Sequence, residues 1–178
     1  MAKLYGLANY LMSEIVIKLL NHKEFTKFVY YKDVSDKDIL SLPDLKNPSV
    51  MLRNQIFRNR RTPKILETQD VCIFMSLDDI RNYGGSKTKK IKTIWIDIGF
   101  IVHQSCSNTI HGSREVAIIS AIEKALDGTF FSKAIGTCEI DRVVPLAGIP
   151  YEWNGYQVRV KLDGFSDVGT DIYEVDYE

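Results

Sequence analysis

The stretch Thr93-Ile94-Trp95-Ile96-Asp97-Ile98-Gly99-Phe100-Ile101-Val102-His103 decides the fold. Successive side chains of a β-strand point to opposite faces. Ile94, Ile96, Ile98, Phe100 and Val102 therefore share one face, and Thr93, Trp95, Asp97, Gly99, Ile101 and His103 share the other. The first set is apolar throughout and reads as a core face. The second is mixed and reads as half-exposed, with Asp97 and His103 turned outward.

Working outward, a helix is expected over Ser113 to Leu126. Ile118, Ile119, Ile122, Ala125 and Leu126 lie along one stripe headed by Glu115. Ser113 stands at the N-cap position and Gly128 at the left-handed C-terminal position. Strands are expected at Val71 to Leu77, at Thr137 to Val144 and in a closing segment. There Tyr156, Val158, Val160 and Leu162 alternate with Gln157, Arg159, Lys161 and Asp163. Asn154-Gly155 reads as a two-residue hairpin turn.

Upstream, Leu4, Leu7, Ala8, Leu11, Ile15 and Leu19 follow helical spacing. Asn21 and His22 are expected to stop that helix, and Phe25 to Tyr31 to form a short second one packed back on it. Residues 33–69 hold Pro43, Pro48 and Pro63 and no lasting period. A structureless loop of that length is uncommon in a compact domain. The segment therefore either holds short elements or is an arm that orders against a partner. Its apolar residues Val50, Leu52, Ile56, Phe57, Ile65 and Leu66 favour the partner.

This order of elements implies an α+β fold: a mixed, mostly antiparallel sheet with helices packed on one face, a long irregular arm and an acidic C-terminal tail. Residues 1–165 are expected to form a single domain that includes the basic arm 33–69. Residues 166–178 are expected to form the tail. Beyond Lys161 the chain carries Asp163, Asp167, Asp171, Glu174, Asp176 and Glu178 and no Lys or Arg.

With 178 residues, 45% of them hydrophobic and 26% charged, the chain has enough apolar surface for one folded domain. Its 23 basic and 23 acidic residues cancel, which argues against a general nucleic-acid coat. The N-terminal stretch contains Lys3, Glu14 and Lys18 and does not read as a signal peptide. No run of 18 apolar residues occurs, so no membrane span is expected. Three well-separated cysteines, Cys72, Cys106 and Cys138, fit a reducing compartment.

Candidate chemistry is sparse. His103, Cys106, His111 and Cys138 lack the tight paired spacing of zinc ligands. Cys106 with His103 or His111 has no third orienting group for a thiolate nucleophile. Asp97, with Glu115, Asp141 and Asp163, is the starting point for a metal-dependent nuclease, which needs several converging carboxylates. No phosphate-binding loop, dinucleotide fingerprint or nucleophile elbow is present. No catalytic residue, cofactor or metal is therefore assigned.

The remaining signal is basic. Arg53, Arg58, Arg60, Arg61 and Lys64 lie together without an acidic neighbour, beside Ile56 and Phe57. Lys87, Lys89 and Lys90, with Lys92, form a second cluster. Arginine beside aromatic residues is the composition of protein interfaces, and these residues are the candidate interface. The same Arg53 to Lys64 cluster is the basis of an alternative reading as a nucleic-acid-binding module.

In layout the chain resembles the head-to-tail connector and tail-terminator (neck ring) proteins of tailed bacteriophages. The resemblance rests on Leu19 to Tyr31, Lys92 to Gln104, Ser113 to Gly128 (ending Ala125-Leu126-Asp127-Gly128) and Gly136 to Phe165. The last includes Gly155-Tyr156-Gln157-Val158 and Lys161-Leu162-Asp163-Gly164-Phe165. It implies a non-enzymatic virion protein, made in the host cytoplasm, with no catalytic residues to carry over. Its partners would be copies of itself in a six- or twelve-fold ring, portal or adaptor and tail proteins, and viral DNA passing through the channel without sequence-specific binding. The arm and the tail match nothing in that family.

Overall fold

The computed structural model describes residues 2–32, 38–57, 70–82, 91–110 and 112–165. Helix α1 (Ala2–Asn21) and helix α2 (Lys23–Tyr30) are separated by His22, whose backbone is extended (φ −87°, ψ 109°) and whose ring accepts the Phe25 amide. It ends the first helix, as the sequence implied, and its ring caps the second, which the sequence reading did not foresee. No described helix is long and apolar enough to cross a membrane.

Strand β1 (Ile56–Phe57) runs parallel to β2 (Val71–Asn82). The other pairings are antiparallel: β2 with β3 (Ile91–His103), β3 with β7 (Trp153–Phe165), and β7 with β6 (Ala134–Pro145). The sheet order is β1-β2-β3-β7-β6. Strands β4 (Asn108–Thr109) and β5 (Gly112–Ser113) form a small separate ladder that leads into helix α4 (Arg114–Leu126). The expected α+β class, with its mixed, mostly antiparallel sheet, is the observed one.

The predicted strand phase holds. Ile94, Ile96, Ile98, Phe100 and Val102 are all fully buried. They join Leu11, Ile15 and Leu19 of α1, Phe25 and Val29 of α2, Ile118 and Ile122 of α4, and Val158 and Val160 of β7 in one cluster. The helices thus share one face of the sheet.

Four local expectations are corrected. First, Asn154 and Gly155 make no turn. They lie inside β7, and the β6–β7 connection runs through 146–152, with Gly148 at φ +74°. Gly155 pairs with Ile101, where a Cβ would stand 2.6 Å from the Phe100 carbonyl oxygen. Glycine is needed there for close backbone approach, a requirement that local sequence cannot distinguish from turn chemistry. Second, β2 continues past Leu77 to Asn82 through an irregularity between Leu77 and Asp79. A bulge resets the alternation, so the period of two no longer marked the strand. Third, Ser113 occupies the N-cap position of α4, but its hydroxyl does not cap the helix. It donates to the Glu115 carboxylate instead.

Fourth, the segment 38–57 does not wait for a partner. It contains 3-10 turns at Ile39–Ser41 and Pro48–Val50, the short helix α3 (Met51–Asn54) and β1. Ile39, Met51 and Ile56 are buried in the domain core. The Lys27 ammonium donates to the Leu40 carbonyl (2.9 Å) and pairs with Asp44 (3.0 Å). Gln55, itself buried, donates from its side chain to the Val29 carbonyl at 2.8 Å. These contacts join residues far apart in sequence, which is why no periodicity announced them. Residues 58–69 and the acidic tail 166–178 lie outside the described residues.

Ile98→Ala is expected to destabilise the protein by about 2–5 kcal/mol, because it opens a cavity at the centre of the cluster. Equilibrium urea unfolding measures this, and a loss well under 1 kcal/mol would mean the strand face is assigned wrongly. Gly155→Ala is expected to be at least as damaging as Ile98→Ala in the same assay, since the obstructing atom is backbone and cannot swing away.

Candidate functional site

The face of the sheet opposite the helices carries a charge cluster. Asp97 on β3 pairs directly across from Arg159 on β7. Asp97 is only 2% exposed, so it is buried, and its expected outward, solvated placement is corrected. The Arg159 guanidinium donates through Nε to Asp97 Oδ1 at 3.0 Å and through Nη2 reaches Asp78 Oδ2 at 2.8 Å. Asp78 stands at the β2 irregularity, so the bulge is what brings a second carboxylate to this arginine. The Asp97 hydrogen bond is the main cause that holds Arg159 above the ordinary arginine pKa.

This arrangement does not suit a nuclease. The cation beside Asp97 is Arg159. Glu115 belongs to α4, in the helix layer on the other face, and is held by Ser107 and Ser113. Among the described residues no group of three His, Cys, Asp or Glu side chains is placed to hold a metal ion.

The cysteine and histidine candidates are scattered. The His103 ring stacks edge-on against Trp153 (5.1 Å between centroids), and its Nδ1 is 2.8 Å from Ser105 Oγ. The buried Cys106 thiol donates to the His103 carbonyl at 3.3 Å. Cys138 lies in the main core on β6, its carbonyl accepting the Gly128 amide. Cys72 packs with Ile101 and Trp153 on the opposite face of the sheet. Burial raises all three thiol pKa values, those of Cys72 and Cys138 to about 12. Such thiols stay protonated near neutrality and are poor nucleophiles. His111 lies outside the described residues.

The first two residues of α4 form the least expected feature. Arg114 is fully buried, and its guanidinium donates to the carbonyls of Tyr31 (2.8 Å) and Lys32 (3.2 Å) just past the end of α2. A cation at a helix C-terminus satisfies carbonyls that have no partner within the helix. Burial lowers its pKa. Glu115 is only 3% exposed, and both its oxygens accept serine hydroxyls: Oε1 from Ser107 at 2.6 Å and Oε2 from Ser113. It lines a cleft of about 420 Å3 between the start of α4 and the β6–β7 connection, together with Leu146, Trp153 and Tyr156. The sequence offered one sign of this: a glutamate heading an otherwise apolar helical stripe.

The interface candidates divide. Ile56 is buried in the core, and Phe57 is half-buried against the Cys72, Ile101 and Trp153 cluster. Arg53 lies on α3. Arg58, Arg60, Arg61, Lys64, Lys87, Lys89 and Lys90 lie outside the described residues.

The YomW family model matches residues 22–162, from the break between α1 and α2 to Leu162 near the end of β7. The chain belongs to the YomW family. The matched span includes the Asp97–Arg159 pair and the Glu115 cleft. No curated protein matches the chain. Among solved structures, it is similar to a chain of the virion of a native gene transfer agent (GTA) particle. The identity is 10%, with 66% of this chain and 83% of that chain covered, and the TM-score is 0.42.

Two predictions follow from the buried charges and thiols. Arg159→Met leaves Asp97 buried without its cation and is expected to cost about 3–5 kcal/mol. The double variant Arg159→Met/Asp97→Leu should recover most of that loss in denaturant unfolding, and no recovery would mean the pair does not carry the effect. The second concerns pH. The folded pKa values of Cys72 and Cys138 lie above the usual thiol value of 9.0. Their contribution to stability is therefore complete below pH 9 and is lost as pH rises from 9 toward 12, because the unfolded chain ionises there first. The slope is about 1.4 kcal/mol per pH unit for each thiol. A Cys72→Ala/Cys138→Ala variant should lose stability more gradually than the wild type between about pH 8 and about pH 10.5. Equal slopes would contradict the assignment.

Proposed function

We propose that the chain is a structural virion protein that works by assembling with other protein chains. In the finer reading it is a subunit of a neck, connector or tail-terminator ring joining the phage head to the tail. The observation that carries this is the sheet itself, whose two edge strands, β1 and β6, are unlike among the described residues. Among the described residues, the start of β6 is met on its outer side by residues 128–130, its remainder from Asp141 to Pro145 pairs only with β7, and β2 beyond Phe74 pairs only with β3.

An edge presents a row of backbone donors and acceptors ready for another chain. When opposite edges of one subunit differ, contact between copies is head-to-tail, and such contacts close into rings when the rotation allows. The β6 edge has register shifts between Ile135 and Glu139 and between Ile140 and Arg142, and it ends at Pro145. Bulges, charges and proline blunt indiscriminate strand addition, so a specific neighbour is favoured over any exposed strand. The order of elements also agrees with the layout of neck proteins from which the expectation came. On this reading the ring contacts portal or adaptor and tail proteins, and DNA passes through its channel.

Light scattering and electron microscopy of the concentrated protein, alone and on a portal template, are expected to reveal closed rings of identical copies. Reversal of Arg58, Arg60 and Arg61 to Glu is expected to block incorporation into particles while leaving the thermal unfolding of the monomer unchanged. A reversed variant that assembles like the wild type, or purified particles lacking the chain, would sink the proposal.

A further inference from the structure

The cleft between the start of α4 and the β6–β7 connection has a floor made of hydrogen-bond acceptors. Both serine protons are committed to Glu115: Ser107 donates to Oε1 at 2.6 Å, and Ser113 donates to Oε2. The two hydroxyl oxygens keep lone pairs and have no proton left to give, and a carboxylate has acceptor sites beyond the two in use. A ligand seated on this floor must therefore bring donors. It need not bring positive charge, because the buried guanidinium of the preceding Arg114 already attracts the Glu115 carboxylate.

The walls narrow the choice further. Trp153 and Tyr156 line the cleft beside Leu146. Both rings are held in place, Trp153 edge-on to His103 and Tyr156 against Phe100, so this wall is formed before anything binds. The exposed Asn154 adds an amide that both donates and accepts. The volume of about 420 Å3 falls within the range of small-molecule sites, roughly 300–1,000 Å3. A neutral molecule with several hydroxyl donors and an apolar C–H face matches these surfaces, and that is a saccharide ring. A peptide backbone brings a carbonyl with every amide, and those carbonyls would meet no donor in the floor. A nucleotide brings phosphate, and no Lys or Arg is among the described residues that line the cleft.

We infer that this cleft binds a neutral saccharide, whose hydroxyls donate to Glu115, Ser107 and Ser113 while its C–H face lies against the aromatic wall. The lining residues all belong to one copy, so the site stands or falls separately from the ring reading.

The chain's two tryptophans make the test local. Trp153 lines the cleft, whereas Trp95 lies on β3 about 27 Å along the strand from His103, the partner of Trp153, at roughly 3.4 Å per residue. Isotope-labelled full-length protein is titrated in turn with glucose, galactose, mannose, xylose and N-acetylglucosamine, and with guanosine monophosphate as the nucleotide. The two indole N–H signals are followed by NMR. At least one sugar is expected to shift the Trp153 signal saturably at millimolar concentration and to leave Trp95 in place. Glu115→Gln replaces an acceptor oxygen with a donor and is expected to weaken that binding about tenfold or more. Asn154→Ala, at an exposed position, is expected to weaken it while keeping the thermal unfolding of the wild type. No shift of Trp153 with any of the sugars, equal shifts of both indoles, or a shift with guanosine monophosphate alone overturns the proposal. Undiminished binding to folded Glu115→Gln does so too, and if that variant does not fold, undiminished binding to Asn154→Ala has the same force.

Discussion

Burial of both faces of one strand is the constraint on which the rest of this structure depends. β3 pairs along its length with β2 on one side and β7 on the other, so its register sets theirs. Its Ile94 to Val102 face receives three helices. Its other face is covered piecewise: Ile101 lies under Trp153 and Cys72, Gly99 lies under the Phe74 ring, and Asp97 is met by Arg159. A one-residue slip of this strand would drive Asp97 into the helix layer and turn five large apolar side chains outward, so the register is strongly specified.

Charge plays two different parts around that core. Arg159 and Arg114 are each held by structure, the first by two carboxylates across the sheet and the second by two backbone carbonyls past α2. Arg114 ties α4 to the chain leaving α2, and the Lys124–Glu24 pair at 2.7 Å joins the same two helices near the surface. These groups fix the relative placement of elements that apolar packing alone would allow to slide. Glu115 is the contrasting case. It shares a helical turn with Arg114 but lines a cleft, held by the hydroxyls of Ser107 and Ser113.

An assembly role agrees with this distribution. The β6 edge, with its register shifts and terminal proline, borders the Glu115 cleft, while the opposite edge is the short parallel strand β1. Unlike surfaces on opposite sides of one subunit are what head-to-tail association requires. The energy of such a contact would come from a few desolvated groups and not from a broad apolar patch.

The sequence by itself determined the class of fold, the buried face of β3, the helices α1, α2 and α4 and the break at His22. Each is written in a period of two or 3.6, or in the chemistry of a single cap, which local residues specify. Tertiary structure alone decided the rest. Gly155 read as a turn until its neighbour across the sheet was known, and the turns and short elements of 38–57 draw their stability from α2 and β2 and not from their own pattern. Asp97 looked solvated because nothing in the strand reveals that Arg159, 62 residues away, will stand opposite it. Glu115 and its two serines converge only when the loop before α4 closes against β7. A carboxylate's neighbours, and so its chemistry, are set by contacts between segments distant in the chain, to which a local reading is blind.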